Sequence, residues 1–130
     1  MGQMFHGAWV FKSNLSKWET SNVKDMHMMF MGCREFTSDL SKWRTGQVEN
    51  MMKMFLSAEK FTSDLSNWDT CKVTDMTRMF DAAHALKEKP SWVPYMTTIG
   101  NHERDWPNSG DRYGGQDSGG ECGVPYMSRL

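Results

Sequence analysis

The chain has 130 residues, a net charge of −1 and only 20 Leu, Ile, Val and Phe, with 13 Met and 6 Trp standing in for the missing aliphatics. A length below about 150 residues excludes a large multidomain enzyme, and the soft and aromatic side chains still permit a thin core. Basic and acidic residues number 12 and 11 over 1–89 and 3 and 5 over 90–130, so neither part has the basic excess that drives nucleic-acid binding.

No stretch approaches the about 18 apolar residues of a membrane span. Residues 1–14 lack the basic start and apolar run of a signal peptide. Three widely separated cysteines, Cys33, Cys71 and Cys122, indicate neither a disulfide framework nor a zinc knuckle.

From the first residue onward the chain repeats. Met-Phe occurs at 4–5, 29–30, 54–55 and 79–80, a constant step of 25. Phe11, Phe36, Phe61 and Leu86 follow the same step, as do Leu15, Leu40 and Leu65, Trp18, Trp43 and Trp68, and Val23, Val48 and Val73. Within a unit, Val23, Met26, Met29, Phe30 and Cys33 recur at steps of three or four, which predicts one face of a short helix. Asp25, Asn50 and Asp75 stand where a helix cap would be. Asp39 to Trp43 and its copies read as a short strand or extended corner with a bend between Leu40 and Trp43, since a flat strand would send those two to opposite faces.

One strand and one helix cannot bury an apolar face alone, whereas copies stacked at this period place like above like. The expected fold is therefore an α/β solenoid of about 3.5 stacked 25-residue strand-helix units over residues 1–89. Its spine is a ladder of Trp18, Trp43 and Trp68 beside Phe30, Phe55 and Phe80, and a mostly irregular Gly-rich tail follows over 90–130. The pattern Met-Phe-x-x-Ala-x-x-Phe-x-x-Asp-Leu-Ser-x-Trp-Asp-Thr-x-x-Val-x-x-Met at 54–76 resembles the BspA-like leucine-rich-repeat surface proteins. That resemblance implies a secreted or cell-surface module used for adhesion or binding, with an unknown protein or surface ligand as partner.

Within the repeat, the column of Asn14, Asp39 and Asp64 is read as a turn cap rather than a calcium ladder, because no second acidic column accompanies it. The methionine columns are read as periodic burial rather than a thioether metal site. Cys33 shares a column with Ala8, Ala58 and Ala83 and is a small core filler, whereas His6, His27 and His84 share no column.

After Lys89 the period fails, and seven Gly fall between 100 and 123. Val93 to Ile99 predicts a short strand and Gly100 to Asp105 a loop. The run Val93 to Tyr126, through Gly100-Asn101-His102-Glu103 and Asp117-Ser118-Gly119-Gly120-Glu121-Cys122, resembles plant-type purple acid phosphatases. Their two-metal centre pairs iron with zinc, manganese or iron. By that resemblance Asn101 is a ligand of the divalent metal and His102 a contact of the substrate phosphate.

The family's remaining Asp, Tyr and His ligand motifs are absent from these 130 residues. A stable site needs three or four protein ligands, so no cofactor is expected in this chain and the segment is expected to be inactive. The reading is a repeat-type surface or binding module with an incomplete metallophosphoesterase segment. The alternative is a truncated or misassembled piece of a purple acid phosphatase, for which a phosphate ester would be substrate only with the full domain.

Overall fold

The computed structural model describes residues 1–87, with the side chains of 1–86. The strand expected at 93–99, the loop at 100–105 and the Gly-rich tail lie outside these residues.

The strand-helix units are not what forms. Among the described residues the regular elements are one four-residue helix, α1, at His84–Lys87, and two isolated parallel bridges, Asp25 to Asn50 and Asn50 to Asp75. The α/β solenoid expectation is therefore corrected: each copy is a succession of turns and bends.

The backbone shows why. A helix needs each amide to find the carbonyl four residues back, yet the amides of Met28, Phe30 and Gly32 donate to Met52, Met54 and Leu56 of the next copy at 2.8–2.9 Å. The amides between them fold back three residues, Met29 to Met26 and Met31 to Met28, both at 3.2 Å. The same alternation joins Gln3, Phe5 and Gly7 to His27, Met29 and Met31, and Lys53, Phe55 and Ser57 to Thr77, Met79 and Asp81. Two left-handed positions per copy enforce it. Gln3, Met28, Lys53 and Arg78 have φ of 51 to 58°, and Gly7, Gly32, Ser57 and Ala82 have φ of 55 to 75°. Residues that far outside right-handed space end any helix within a turn.

The three-and-four spacing that reads as a helix face thus marks the inward residues of stacked turns. Met26, Met29, Phe30 and Cys33 are fully buried, as are Met51, Met54, Phe55 and Ala58 one copy later. The cap residues do cap, but they cap turns. His27 N donates to Asp25 Oδ1 at 2.9 Å, Met52 N to Asn50 Oδ1 at 3.0 Å and Thr77 N to Asp75 Oδ1 at 2.8 Å. The bend before each Trp closes as Trp18 N to Leu15 O, Trp43 N to Leu40 O and Trp68 N to Leu65 O, each 3.0 Å.

Like residues stand above like. The rings of Phe5, Phe30, Phe55 and Phe80 follow one another at 5.6, 5.6 and 5.8 Å, and Phe11, Phe36 and Phe61 at 5.7 Å. Trp18, Trp43 and Trp68 are 6.5 and 6.4 Å apart, within the range where aromatic pairs attract. Trp43 and Trp68 are buried, whereas Trp18, in the first copy, is 38% exposed. One apolar cluster runs from Leu15 to Leu86, with Met1, Phe5, Ala8, Phe11 and Val23 packed half-buried against its N-terminal end.

Candidate functional site

The turn of each copy that follows the Ala8 column points one residue outward in every unit. Trp9, Arg34, Glu59 and His84 are all exposed, Trp9 at 66%. The backbone of Trp9 and Arg34 is fixed from both sides. Trp9 N donates to Gly7 O and Arg34 N to Gly32 O at 2.9 Å, so the left-handed residue two places earlier aims each side chain. Between copies, Glu35 N donates to Trp9 O, Lys60 N to Arg34 O and Ala85 N to Glu59 O, each at 3.1 Å.

The four side chains form a row. The Arg34 guanidinium lies 5.9 Å from the Trp9 ring centroid, a cation over an aromatic face, and its Nε is 3.4 Å from Glu59 Oε1. Beside them Glu35 takes Lys60 Nζ at 2.8 Å and Lys12 Nζ at 3.4 Å. The Lys60 hydrogen bond, followed by that of Lys12, holds the Glu35 carboxyl below its ordinary value despite partial desolvation. Such exposed pairs contribute little stability. What they provide is a ledge carrying an aromatic face, cations, anions and an imidazole on a rigid frame. This column is not marked in the sequence by a common residue type, unlike the apolar core columns beside it.

The other candidates have structural duties. Asn14, Asp39 and Asp64 each accept the amide two residues on, Ser16, Ser41 and Ser66, at 2.9 Å. Asp39 also accepts the Ser63 hydroxyl at 3.1 Å. Of the methionines, Met26, Met29, Met51 and Met54 are sealed in the core, and Met28 and Met52 are half-buried.

Cys33 is a free, buried thiol whose Sγ donates to Phe5 O at 3.0 Å. Burial pushes it up to about 11, against the smaller downward pull of the Ala8 backbone. His27 sits beside Asp25, Nδ1 to Oδ1 2.7 Å, with Gln3 Nε2 3.1 Å from its Nε2. Burial raises Asp25, but the amide and ring of His27 outweigh it and hold the carboxyl below its usual range. Among the described residues no group of three or more His, Cys, Asp or Glu could hold a metal ion. Asn101 and His102 lie outside the described residues.

A family described as "Mycoplasma protein of unknown function, DUF285" matches residues 1–93. The chain belongs to that family. The DUF285 match takes in all four stacked copies and the whole exposed row.

A second, short similarity accompanies it. Thirty-five residues are 77% identical to the "Probable inactive purple acid phosphatase 27" of Arabidopsis thaliana, 27% of this chain and 6% of that protein. A "Nucleotide pyrophosphatase/phosphodiesterase" of Hordeum vulgare is 69% identical over 32 residues, 25% of this chain and 9% of that one. The "Probable inactive purple acid phosphatase 9" of Arabidopsis thaliana is 57% identical over 46 residues, 31% of this chain and 7% of that protein. The chain thus spans less than a tenth of the length of these curated relatives. No solved structure matches it.

Proposed function

We propose that this DUF285 protein is a binding module, with residues 1–89 as a repeat frame that displays a recognition row and residues 90–130 as an inactive purple acid phosphatase-like piece. The observation that carries it is the contrast between columns. The core columns stay apolar from copy to copy, while Trp9, Arg34, Glu59 and His84 share a position, are all exposed and differ in chemistry. A stack that holds an apolar frame while an exposed column varies in chemistry, as this one does and as Glu19, Arg44 and Asp69 also do, is suited to binding an extended surface. An aromatic face next to a cation and an anion fits a polar protein surface or a glycan. The BspA-like pattern supports a secreted or cell-surface location. No helix of the described residues is long and apolar enough to cross a membrane.

A hydrolytic role gains no support from the described side chains. Two-metal chemistry requires several convergent anionic and imidazole ligands, and the described residues offer no such group. The described residues do not fit a two-metal centre. The short similarity to phosphatases favours one further reading, that the phosphatase-like piece works only as part of a complete phosphatase domain.

The test is to screen the full chain on protein and glycan arrays, repeating every hit with the Trp9→Ala/Arg34→Ala/Glu59→Ala variant. The expected result is a ligand lost in the variant at an unchanged melting temperature. Hits indifferent to all three substitutions, or metal-dependent turnover of p-nitrophenyl phosphate by the chain, overturn the reading.

A further inference from the structure

Asn14-Leu15-Ser16 is the one Asn-x-Ser/Thr run in the sequence, since Asn22, Asn50, Asn67, Asn101 and Asn108 have Lys, Met, Asp, Glu and Gly two residues on. In an exported chain that tripeptide is the acceptor pattern for an N-linked glycan. Three residues match often by chance, so the place the fold gives the amide decides.

Asn14 is exposed, and its Oδ1 accepts the Ser16 amide at 2.9 Å. This turn involves three consecutive residues only, so it forms without the rest of the stack. The Asn14 Nδ2, the atom to which a sugar would be joined, makes no hydrogen bond among the described residues. Asp39, one copy on, closes the same turn but is tied to the following copy by the Ser63 hydroxyl at 3.1 Å. The corresponding Ser38 hydroxyl accepts the Leu15 amide at 2.8 Å and makes no bond to Asn14. Asp39 is exposed with a copy on either side, so the exposure of this column belongs to the repeat. Leu15, by contrast, is 3% exposed, and its carbonyl takes the Trp43 indole N–H. The tripeptide is therefore open along its whole length only before the second copy packs, which sets attachment during synthesis.

We propose that Asn14 is the attachment site of an N-linked oligosaccharide, a reading that rests on the secreted or cell-surface location proposed above. Asn14 Nδ2 forms a bond to the reducing-end C1 of an oligosaccharide carried on a lipid diphosphate. The C1–O bond to the diphosphate breaks, the lipid diphosphate leaves with the electron pair, and one Nδ2 proton passes to a base of the transferase. A bulky hydrophilic group on Nδ2 leaves both the turn at Oδ1 and the burial of Leu15 in place, so the glycan stands outside the stack.

The experiment translates the full chain, with a cleavable signal peptide placed ahead of Met1, in the presence of endoplasmic-reticulum microsomes. Product protected from added protease is then run with and without peptide N-glycosidase. One slower band that the glycosidase removes is expected, with peptide mass spectrometry placing the change at residue 14. Asn14→Gln and Ser16→Ala are expected to abolish that band and Ser16→Thr to keep it. Imported parent chain without the slower band overturns the proposal, and so does a slower band that survives Asn14→Gln. The added leader supplies import, so a negative result falls on Asn14 and not on the surface location, which is read separately by protease shaving of intact cells.

Discussion

Trp43 donates its indole N–H at 2.9 Å to the carbonyl of Leu15, twenty-eight residues earlier and one copy back. The bond satisfies a buried carbonyl at a bend, and it locks the ring so that Trp68 can stack on it at an interplanar angle of 2°. Trp68 repeats the arrangement on Leu40 at 3.0 Å.

Removing that ring should be costly. Trp43→Ala is expected to lower unfolding free energy by about 3–5 kcal/mol, the range for deleting a buried aromatic, and it also removes one of the two hydrogen bonds that Leu15 O accepts, leaving that from the Trp18 amide. Lys42→Ala, one residue away on an exposed side chain, is expected to stay within about 0.5 kcal/mol of the parent. Trp43→Phe should fall between, losing the hydrogen bond and part of the ring. Urea midpoints for the three variants check the order, and equal midpoints for the first two remove Trp43 from the core.

The left-handed column offers the opposite sign. Gly7 and Gly32 occupy it at φ of 74 and 75°, but Ser57 and Ala82 occupy it at 59 and 55°. An L-residue there costs roughly 1–2 kcal/mol in left-handed space. Part of that gain is offset by the larger chain entropy that glycine brings to the unfolded state. Ser57→Gly is therefore expected to raise the thermal midpoint, and Gly32→Ala to lower it. A fall on Ser57→Gly would mean that the serine hydroxyl outweighs the backbone strain.

These positions also separate what the sequence makes legible from what it hides. The 25-residue step, the inward set Met29, Phe30, Phe36, Leu40 and Trp43, and the turn-capping role of Asp39 follow from residue type, because burial and turn geometry select side chains. Which carbonyl each amide takes does not. Met26, Met29, Phe30 and Cys33 have helical spacing, yet the turns between them present the same residues inward while sending alternate amides to the next copy. Gly7 and Gly32 hint at that break, but Gln3, Met28, Lys53 and Arg78 hold positive φ with no glycine or asparagine to mark it. The exposed row at Trp9, Arg34, Glu59 and His84 is hidden for a related reason, since a column without a common type carries no periodic signal.

Acid should loosen the stack through Asp39. The Ser41 amide, then the Ser41 hydroxyl, hold its carboxyl below the ordinary aspartate value, with the Ser63 hydroxyl adding to the effect. A carboxyl whose folded-state pKa is depressed contributes stability at pH values above its unfolded pKa, about 3.9, and that contribution is lost as pH falls through the folded value. The denaturation midpoint is expected to drop between pH 5 and 3, by a modest amount because Asp39 is exposed. Asp39→Asn should flatten that slope and keep the turn, as Asn14 does in the first copy with the Ser16 amide at 2.9 Å. An unchanged slope would assign the acid sensitivity elsewhere.

Cys33 should be inert while the protein is folded. Its thiol is buried and pushed up to about 11, so almost none is thiolate at pH 8. Iodoacetamide is expected to leave Cys33 unmodified in native protein and to alkylate it fully in denaturant, as read by peptide mass spectrometry. Native labelling as fast as in denaturant would show that the copy around Phe5 and Phe30 opens readily.

The last expectation concerns phosphate esters. The 130-residue chain is expected to show no metal-dependent turnover of p-nitrophenyl phosphate from acidic to neutral pH with added iron, zinc or manganese, and His102→Ala should change nothing. The phosphatase resemblance assigns Asn101 and His102, a neutral amide and one imidazole, whereas a two-metal site draws several carboxylates and imidazoles into one place. The repeat does not supply the deficit. Asp25, Asp39, Asp64 and Asp75 spend their oxygens on turn amides, His6 and His84 are exposed at different columns, and His27 is engaged with Asp25. The Arabidopsis relatives named as inactive phosphatases match over only 35 to 46 residues, a small part of each protein. Turnover that vanishes on Asn101→Ala would demand further ligands beside Asn101 and His102, and would overturn the proposal of a binding module.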